Sequence, residues 1–420
     1  MDPTGPHAPG IVMIAAENGA LAGAKVGGLG DVVHKLPPAL ARRGCRVCVA
    51  TPSYGCLHRT PGAKAVAALR FPFYGAPQEA LVYEVQPESE TPGVTHVVVD
   101  HPIFDSPRDA GGRPRIYYTD PPEAPFATDA TRFALFAAAM AAALNAQRFG
   151  PVDCLHLHDW HAAPLLILRR FGSTGGALQS PRCVFTIHNL ALQGVRPFEG
   201  HASSLAAWYP HLPVARHEVA DPRWPNCVNL MAAGIRWADV VHTVSPSYAE
   251  EILQPSDPPR FSGGEGLEAD LRAARAQGRL FGVLNGTDDA DAQASPRLAF
   301  PEWVRLLQET VLSWAGGSPT LAAAHFLAHS RLAEWGRSGS RPAVVLTGVT
   351  RTVEQKLFLM KAPVAAGAPA LHKLLEQLQP QGAVFILLGA GEPDYERFLV
   401  ETSARFSNFV FLNGYSDPAA

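Results

Sequence analysis

The sequence predicts an α/β protein made of two largely parallel sheets covered by helices, the second sheet incomplete. Three observations carry that expectation. A unit of apolar strand, loop and helix recurs along the chain, the pattern lapses after residue 290 and restarts near 340, and only about 80 residues follow the restart. The composition agrees: 420 residues, 47% hydrophobic and 17% charged, suit a packed globular chain of two or three domains. With 37 glycines and 38 prolines, a helical bundle is excluded.

Taken in order, residues 11–16 form an apolar strand, 23–30 a glycine-rich turn, and 31–43 a helix in which Pro37 and Pro38 predict a kink. A second strand covers 45–50. Further strands are expected at 152–157, 183–188 and 239–244, with an alanine-rich helix at 133–145 and a helix capped at Ser245-Pro246-Ser247. Segments 61–82 and 197–225 carry too many turns and aromatics for this unit and are expected as loops or small excursions. The domain boundary is expected near 340, so that 1–340 forms the first domain, with a variable linker from about 290, and 341–420 a partial second one. There, strands at 343–346, 383–388 and 408–412 alternate with helices at 370–378 and 394–402.

A formal charge of −3 gives no field for a nucleic-acid partner, though it leaves room for a local cationic pocket. Six cysteines are too sparse for a disulfide scaffold, and Cys45 and Cys48, although at redox spacing, fall in a strand where their side chains face opposite ways. The first ten residues lack a basic and apolar leader, and the apolar windows fall short of a bilayer span of about 20 residues. The expected location is therefore the cytoplasm, without a membrane partner.

Candidate chemistry sits in the loops that follow the strands. In Lys25-Val26-Gly27-Gly28-Leu29-Gly30-Asp31, glycines permit close approach of an anion, the helix start offers N–H groups and Lys25 offers a charge; a purely structural turn is the equal alternative. The spacing fits neither the dinucleotide fingerprint nor the phosphate loop of nucleotide hydrolases. His156, His158, Asp159 and His161 crowd the end of a strand, as a polar loop facing a sugar, a structural hydrogen-bonded cluster or, least of all, a zinc site. Trp160 there is either packing or a sugar platform. His188-Asn189 ends the next strand, with a sugar-binding pair and a satisfied core histidine as the two readings. Asn285-Gly286 is a turn or a ligand contact, as is Gly389-Ala390-Gly391-Glu392-Pro393. Arg351 and Lys356, at a strand-to-helix transition, are suited to gripping a diphosphate unless they are simply solvated. Neither Gly-x-Ser-x-Gly nor His-Glu-x-x-His occurs, which removes the usual support for esterases and zinc proteases.

In this order the motifs resemble bacterial glycogen synthase and plant starch synthase. The resemblance rests on 25–31, His101-Pro102, Arg132-Phe133, His158-Asp159-Trp160-His161, 186–194, Ser245-Pro246-Ser247-Tyr248, Glu265-Gly266-Leu267, Asn285-Gly286 and, more loosely, 351–356 with 389–392. It implies a GT-B architecture of two Rossmann-like domains facing a cleft, the second incomplete here. It also implies glucosyl transfer from ADP-glucose, a donor substrate, to the nonreducing 4-hydroxyl of an α-1,4-glucan, with retention and with no catalytic metal or cofactor.

By the same resemblance, Lys25 with Gly27, Gly28, Gly30 and Asp31 approaches the donor phosphates or glucose. Asp159, His161, Asn189 and Asn285 help shape the sugar site, His188 contacts the transferred glucose, and Arg351 and Lys356, beside Gly389 and Gly391, hold the diphosphate. The chain departs from the family at Leu357, where glycine is usual, and at Thr287-Asp288-Asp289, which lacks a nearby tryptophan. The family's downstream Glu-Pro-Cys-Gly-Leu segment does not follow Asn413-Gly414-Tyr415-Ser416-Asp417. A protein that ended at residue 420 is expected to turn over poorly or not at all, which leaves a noncatalytic glucan-binding relative or an inactive fragment as alternatives.

Overall fold

The computed structural model describes residues 8–108, 115–172, 176–286, 298–317, 322–338, 341–364 and 367–414. The chain divides into two compact units, the first formed by residues up to 286 except 257–262, the second by the remainder.

The first unit is built on a nine-stranded sheet. Its strands are β1 (Gly10–Ile14), β2 (Arg46–Pro52), β3 (Lys64–Phe73), β4 (Ala76–Val85), β5 (Val94–Asp100), β6 (Cys154–His158), β7 (Arg182–Ile187), β10 (Val240–Thr243) and β11 (Leu280–Gly282). The short strands β8 (Arg196–Pro197) and β9 (Cys227–Val228) pair separately. The sheet order is β11-β10-β7-β6-β1-β2-β5-β4-β3, parallel from β11 through β5 and antiparallel at β4 and β3. The segment expected as loops over 61–82 is thus mostly a hairpin that extends the sheet. Its strands expose every other residue to water, which masks them in a search for buried apolar runs.

Alternation along β1 shows how the sheet is covered on both faces. Val12 and Ile14 join the larger core with the helix Ala127–Asn145, whereas Met13 and Ala15 pack with Leu29 and Val33 of the helix Gly28–Ala41. The first helix begins three residues earlier than expected, so Gly28, Leu29 and Gly30 form its first turn, and it continues through Pro37 and Pro38 to Ala41. By length and composition the helix Ala127–Asn145 could cross a bilayer, but 72% of its most apolar window is buried inside this unit.

The second unit holds a parallel three-stranded sheet, ordered β12 (Val344–Val349), β13 (Ala383–Gly389) and β14 (Phe409–Asn413). Every residue of β13 is buried, with Phe385 and Leu387 facing one helical layer and Ile386 and Leu388 the other. That other layer is formed by the helices Phe300–Gly316 and Ala323–Ser338, through Val304, Leu307, Val311, Ala328 and Leu332. The stretch expected as a linker of the first domain therefore supplies one wall of the second core, and the chain divides near 286 rather than near 340. Thr287-Asp288-Asp289 and Tyr415-Ser416-Asp417 lie outside the described residues.

Candidate active site

In the first unit, chemistry gathers where the strand order reverses, at the carboxyl ends of β1, β6 and β7. The loop after β1 leads into a helix that returns to β2 on one side, while β6 and β7 lie on the other, so the loops part and leave a rim for a ligand.

The glycine loop after β1 is organised by a residue the sequence reading passed over. Glu17 is buried, and one of its oxygens accepts the backbone N–H groups of Val26 and Gly27, each at 2.7 Å. The other oxygen accepts the hydroxyl of Tyr117 at 2.8 Å. A β-carbon on Gly30 would come within 2.9 Å of the same carboxylate and of the Lys25 side chain, so only glycine fits there. Gly28 faces open space. The Gly27 amide, expected to meet an anion, is therefore committed to Glu17 together with that of Val26. Lys25 lies 2.7 Å from Asp31, in a half-exposed ion pair. An acid at the end of the first strand, just ahead of a glycine-rich turn, was the available signal for Glu17.

Asp159 follows β6 with a φ of +55°, a conformation uncommon for a residue with a side chain. It is buried, and its carboxylate accepts the N–H of His188 at 2.7 Å. Burial pushes the Asp159 carboxyl up to about 7, opposed by the backbone N–H groups of His188 and Asn189. Asp159 thus ties the end of β6 to the loop after β7.

His156, His158, His188 and His242 make one cluster at this rim. As alternation required, His156 and His158 share a face of β6, their ring centroids 4.2 Å apart. His158 Nδ1 meets His188 Nε2 at 2.9 Å, and the Thr186 hydroxyl lies 2.7 Å from His156 Nε2 and 2.8 Å from His242 Nε2. Burial depresses the basicity of all four, repulsion from neighbouring rings adds to it for His156, His158 and His188, and His156 and His188 fall to about 3. At neutral pH the cluster is uncharged. Among the described residues no group of three or more His, Cys, Asp or Glu side chains is arranged to hold a metal ion.

His161 is buried against Phe133, Tyr117 and Trp160, and it too is held at about 3 by burial. Trp160 is 2% exposed and packs edge-on against Phe126 and Phe133, with Gly194 pressed on its ring. It is packing rather than an open platform. Asn189 closes a local turn by accepting the N–H of Ala191. Asn285 is exposed, and its backbone N–H donates to Val244 at 3.2 Å.

In the second unit, Arg351 and Lys356 are both exposed, on the turn after β12 and on the helix Glu354–Lys361. The turn after β13 is stitched to this region: Thr352 donates to Ala390 and accepts from Glu392. Gly389 leaves no room for a β-carbon beside the Thr350 carbonyl. The Gly391 N–H donates to Glu396 at 2.7 Å, and the N–H of Glu354 to Glu392 at 3.2 Å. Carboxylates occupy these two backbone donors, while Arg351 and Lys356 stand exposed beside them.

Comparison with known proteins gives the family. Residues 10–273 match the family model described as the starch synthase catalytic domain. A glycogen synthase of Streptococcus equi subsp. equi is 32% identical over 394 residues, covering 92% of this chain and 70% of that protein. A glycogen synthase of Gloeobacter violaceus is also 32% identical, over 398 residues, covering 94% of this chain and 70% of that one. Among solved structures, the catalytic domain of starch synthase IV from Arabidopsis thaliana, bound to ADP and acarbose, has a TM-score of 0.66 at 23% identity, covering 98% of this chain and 75% of that one. That likeness shows the fold, a two-unit α/β architecture of the GT-B type. With a family model spanning most of the first unit and relatives above 30% identity along nearly the whole chain, the protein belongs to the glycogen and starch synthase family of glycosyltransferases.

Proposed function

We propose that the protein is a retaining glucosyltransferase that moves glucose from ADP-glucose to the nonreducing 4-hydroxyl of an α-1,4-glucan, in the cytoplasm. The observation that carries this reading is the Asp159 to His188 connection, in a chain whose residues 10–273 match the starch synthase catalytic domain.

In this reading Asp159 is a positioning residue, because its carboxylate is spent on the backbone of the loop that carries His188. His188 acts as a neutral ligand of the sugar. Its depressed basicity makes it a poor proton acceptor at neutral pH and rules out a standing positive charge there. His158 Nε2 is buried without a partner, and an unpaired acceptor costs less than an unpaired donor. The proton of His158 therefore belongs on Nδ1, donated to His188 Nε2. His188 then carries its own proton on Nδ1, ready to donate to a sugar hydroxyl.

Arg351 and Lys356 supply positive charge for a diphosphate that gains negative charge as the glucosyl bond breaks, an interaction stronger in the transition state than in the ground state. Lys25, half-exposed in its ion pair with Asp31, serves the donor in the same sense. The acceptor hydroxyl proton passes to the departing phosphate, so no protein base is needed.

The test is incorporation of labelled glucose into glycogen, with ADP-glucose and UDP-glucose compared at equal concentration. Faster incorporation from ADP-glucose is expected. Faster use of UDP-glucose would overturn the donor assignment, and glucan binding without incorporation from either donor would overturn the enzyme reading.

A further inference from the structure

Trp224 is 53% exposed, whereas Trp160 and Trp208 are buried. It lies on the loop before β9 and is held outward by a rigid polar network. Its backbone N–H donates to Asp221 at 3.0 Å, and the Arg223 guanidinium sits 4.4 Å from the centre of its ring. Arg223 is pinned in turn, donating to Gln193 at 2.7 Å and to Asp221 at 3.2 Å. Asn229 donates to the same two side chains at 2.7 and 2.6 Å. Asp221, Gln193 and Asn229 are each at most 3% exposed, so this support is a buried network with its partners satisfied.

The network also reaches the loop after β7. Gln193 donates to the carbonyls of Leu190 and Glu265, on the loop that begins with His188 and on the neighbouring turn. The Trp224 platform is thus mechanically continuous with the β7 rim.

We propose that Trp224, held by Arg223, is an acceptor-side platform on which a glucose ring of the glucan stacks, a proposal that rests on reading this rim as the place where the glucan binds. An exposed indole has a large apolar face and only two side-chain torsions to fix, and here the Arg223 guanidinium already lies against the ring. The apolar C–H face of a glucose ring covers such a surface without giving up its hydroxyls to a dry pocket. The guanidinium lies over the indole, and Trp224 still keeps about half of its surface open to a sugar.

The test is calorimetric titration of the full chain with maltoheptaose, without donor, comparing wild type with Trp224→Ala and Trp224→Phe. Trp224→Ala is expected to weaken binding about tenfold and Trp224→Phe less, with the thermal midpoint unchanged because the ring is exposed. In transfer assays Trp224→Ala is expected to raise KM for the glucan and to leave KM for ADP-glucose and kcat alone. Equal affinity of wild type and Trp224→Ala would overturn the platform while leaving the transfer reading intact. Failure of the wild type to bind maltoheptaose would overturn both.

Discussion

Lowering the pH from 7 to 5 should destabilise the first unit steeply, and the size of the effect follows from its buried rings. An unfolded histidine titrates near 6.5. In the folded chain His156, His161 and His188 are held at about 3 by burial, and His158 lies well below its ordinary value for the same reason. Their folded-state basicity is depressed, so the stability they contribute is present above pH 6.5 and is lost as the pH falls from there toward 3. At pH 5 unfolding takes up about one proton per ring, which costs about 2 kcal/mol of stability for each. Two buried carboxyls act in the opposite sense. Burial raises Asp159 to about 7 and Asp129 to about 6, so their protonated forms suit the fold, and acidification over this window returns about 3 to 4 kcal/mol. These six groups together give an expected loss of about 4 kcal/mol, and His96, which burial lowers to about 4, deepens it, so the effect is a large part of the stability of an ordinary domain. Urea unfolding followed by circular dichroism at pH 7, 6 and 5 measures it directly. A midpoint that stays level or rises toward pH 5 would refute the placement of four neutral, buried histidines.

Other substitutions separate the parts of the site. Asp159→Ala should cost about 1–3 kcal/mol by orphaning the His188 and Asn189 amides, and should lower kcat by misplacing His188, while His188 itself is unchanged. Glu17→Ala removes the oxygen that accepts the Val26 and Gly27 N–H groups, so hydrogen exchange at those two amides should quicken; protection equal to wild type would show that Glu17 does not hold the loop. Gly194→Ala places a β-carbon against the Trp160 ring at a φ of +61° and should cost about 2 kcal/mol or more in denaturant unfolding. Arg351→Ala, at an exposed position, should leave the thermal midpoint alone yet lower kcat about a hundredfold and raise KM for the donor; equal activity would remove Arg351 from the diphosphate site.

The parts of this molecule that were legible in the sequence are those with a local signature. Alternation alone put His156 and His158 on one face of a strand, and apolar strands ending in polar loops marked Asp159 and His188 as rim residues. The partners of those residues were not legible. Thr186 and His242 join the histidine cluster only because β6, β7 and β10 lie side by side in a particular register, and one sequence does not state its register. The same limit hid the fate of the glycine loop: its amides read as open donors until Glu17, ten residues before Gly27, closed on them. In the second unit the Gly-Ser pieces around 316–320 and 336–340 obscured two helices whose apolar stripes, at Val304, Leu307 and Val311 and at Ala328 and Leu332, already carried helical spacing. Their destination depended on the far sheet, which local spacing does not reveal.

Proton NMR of the protein incubated with maltoheptaose and ADP-glucose follows the anomeric signals of donor and product together. Conversion of the ADP-glucose signal into a new α-1,4-linked anomeric signal, with ADP released in equal amount, is the predicted result. Release of ADP with free glucose alone, or the appearance of a β-linked product, would contradict the account of retaining transfer to a glucan.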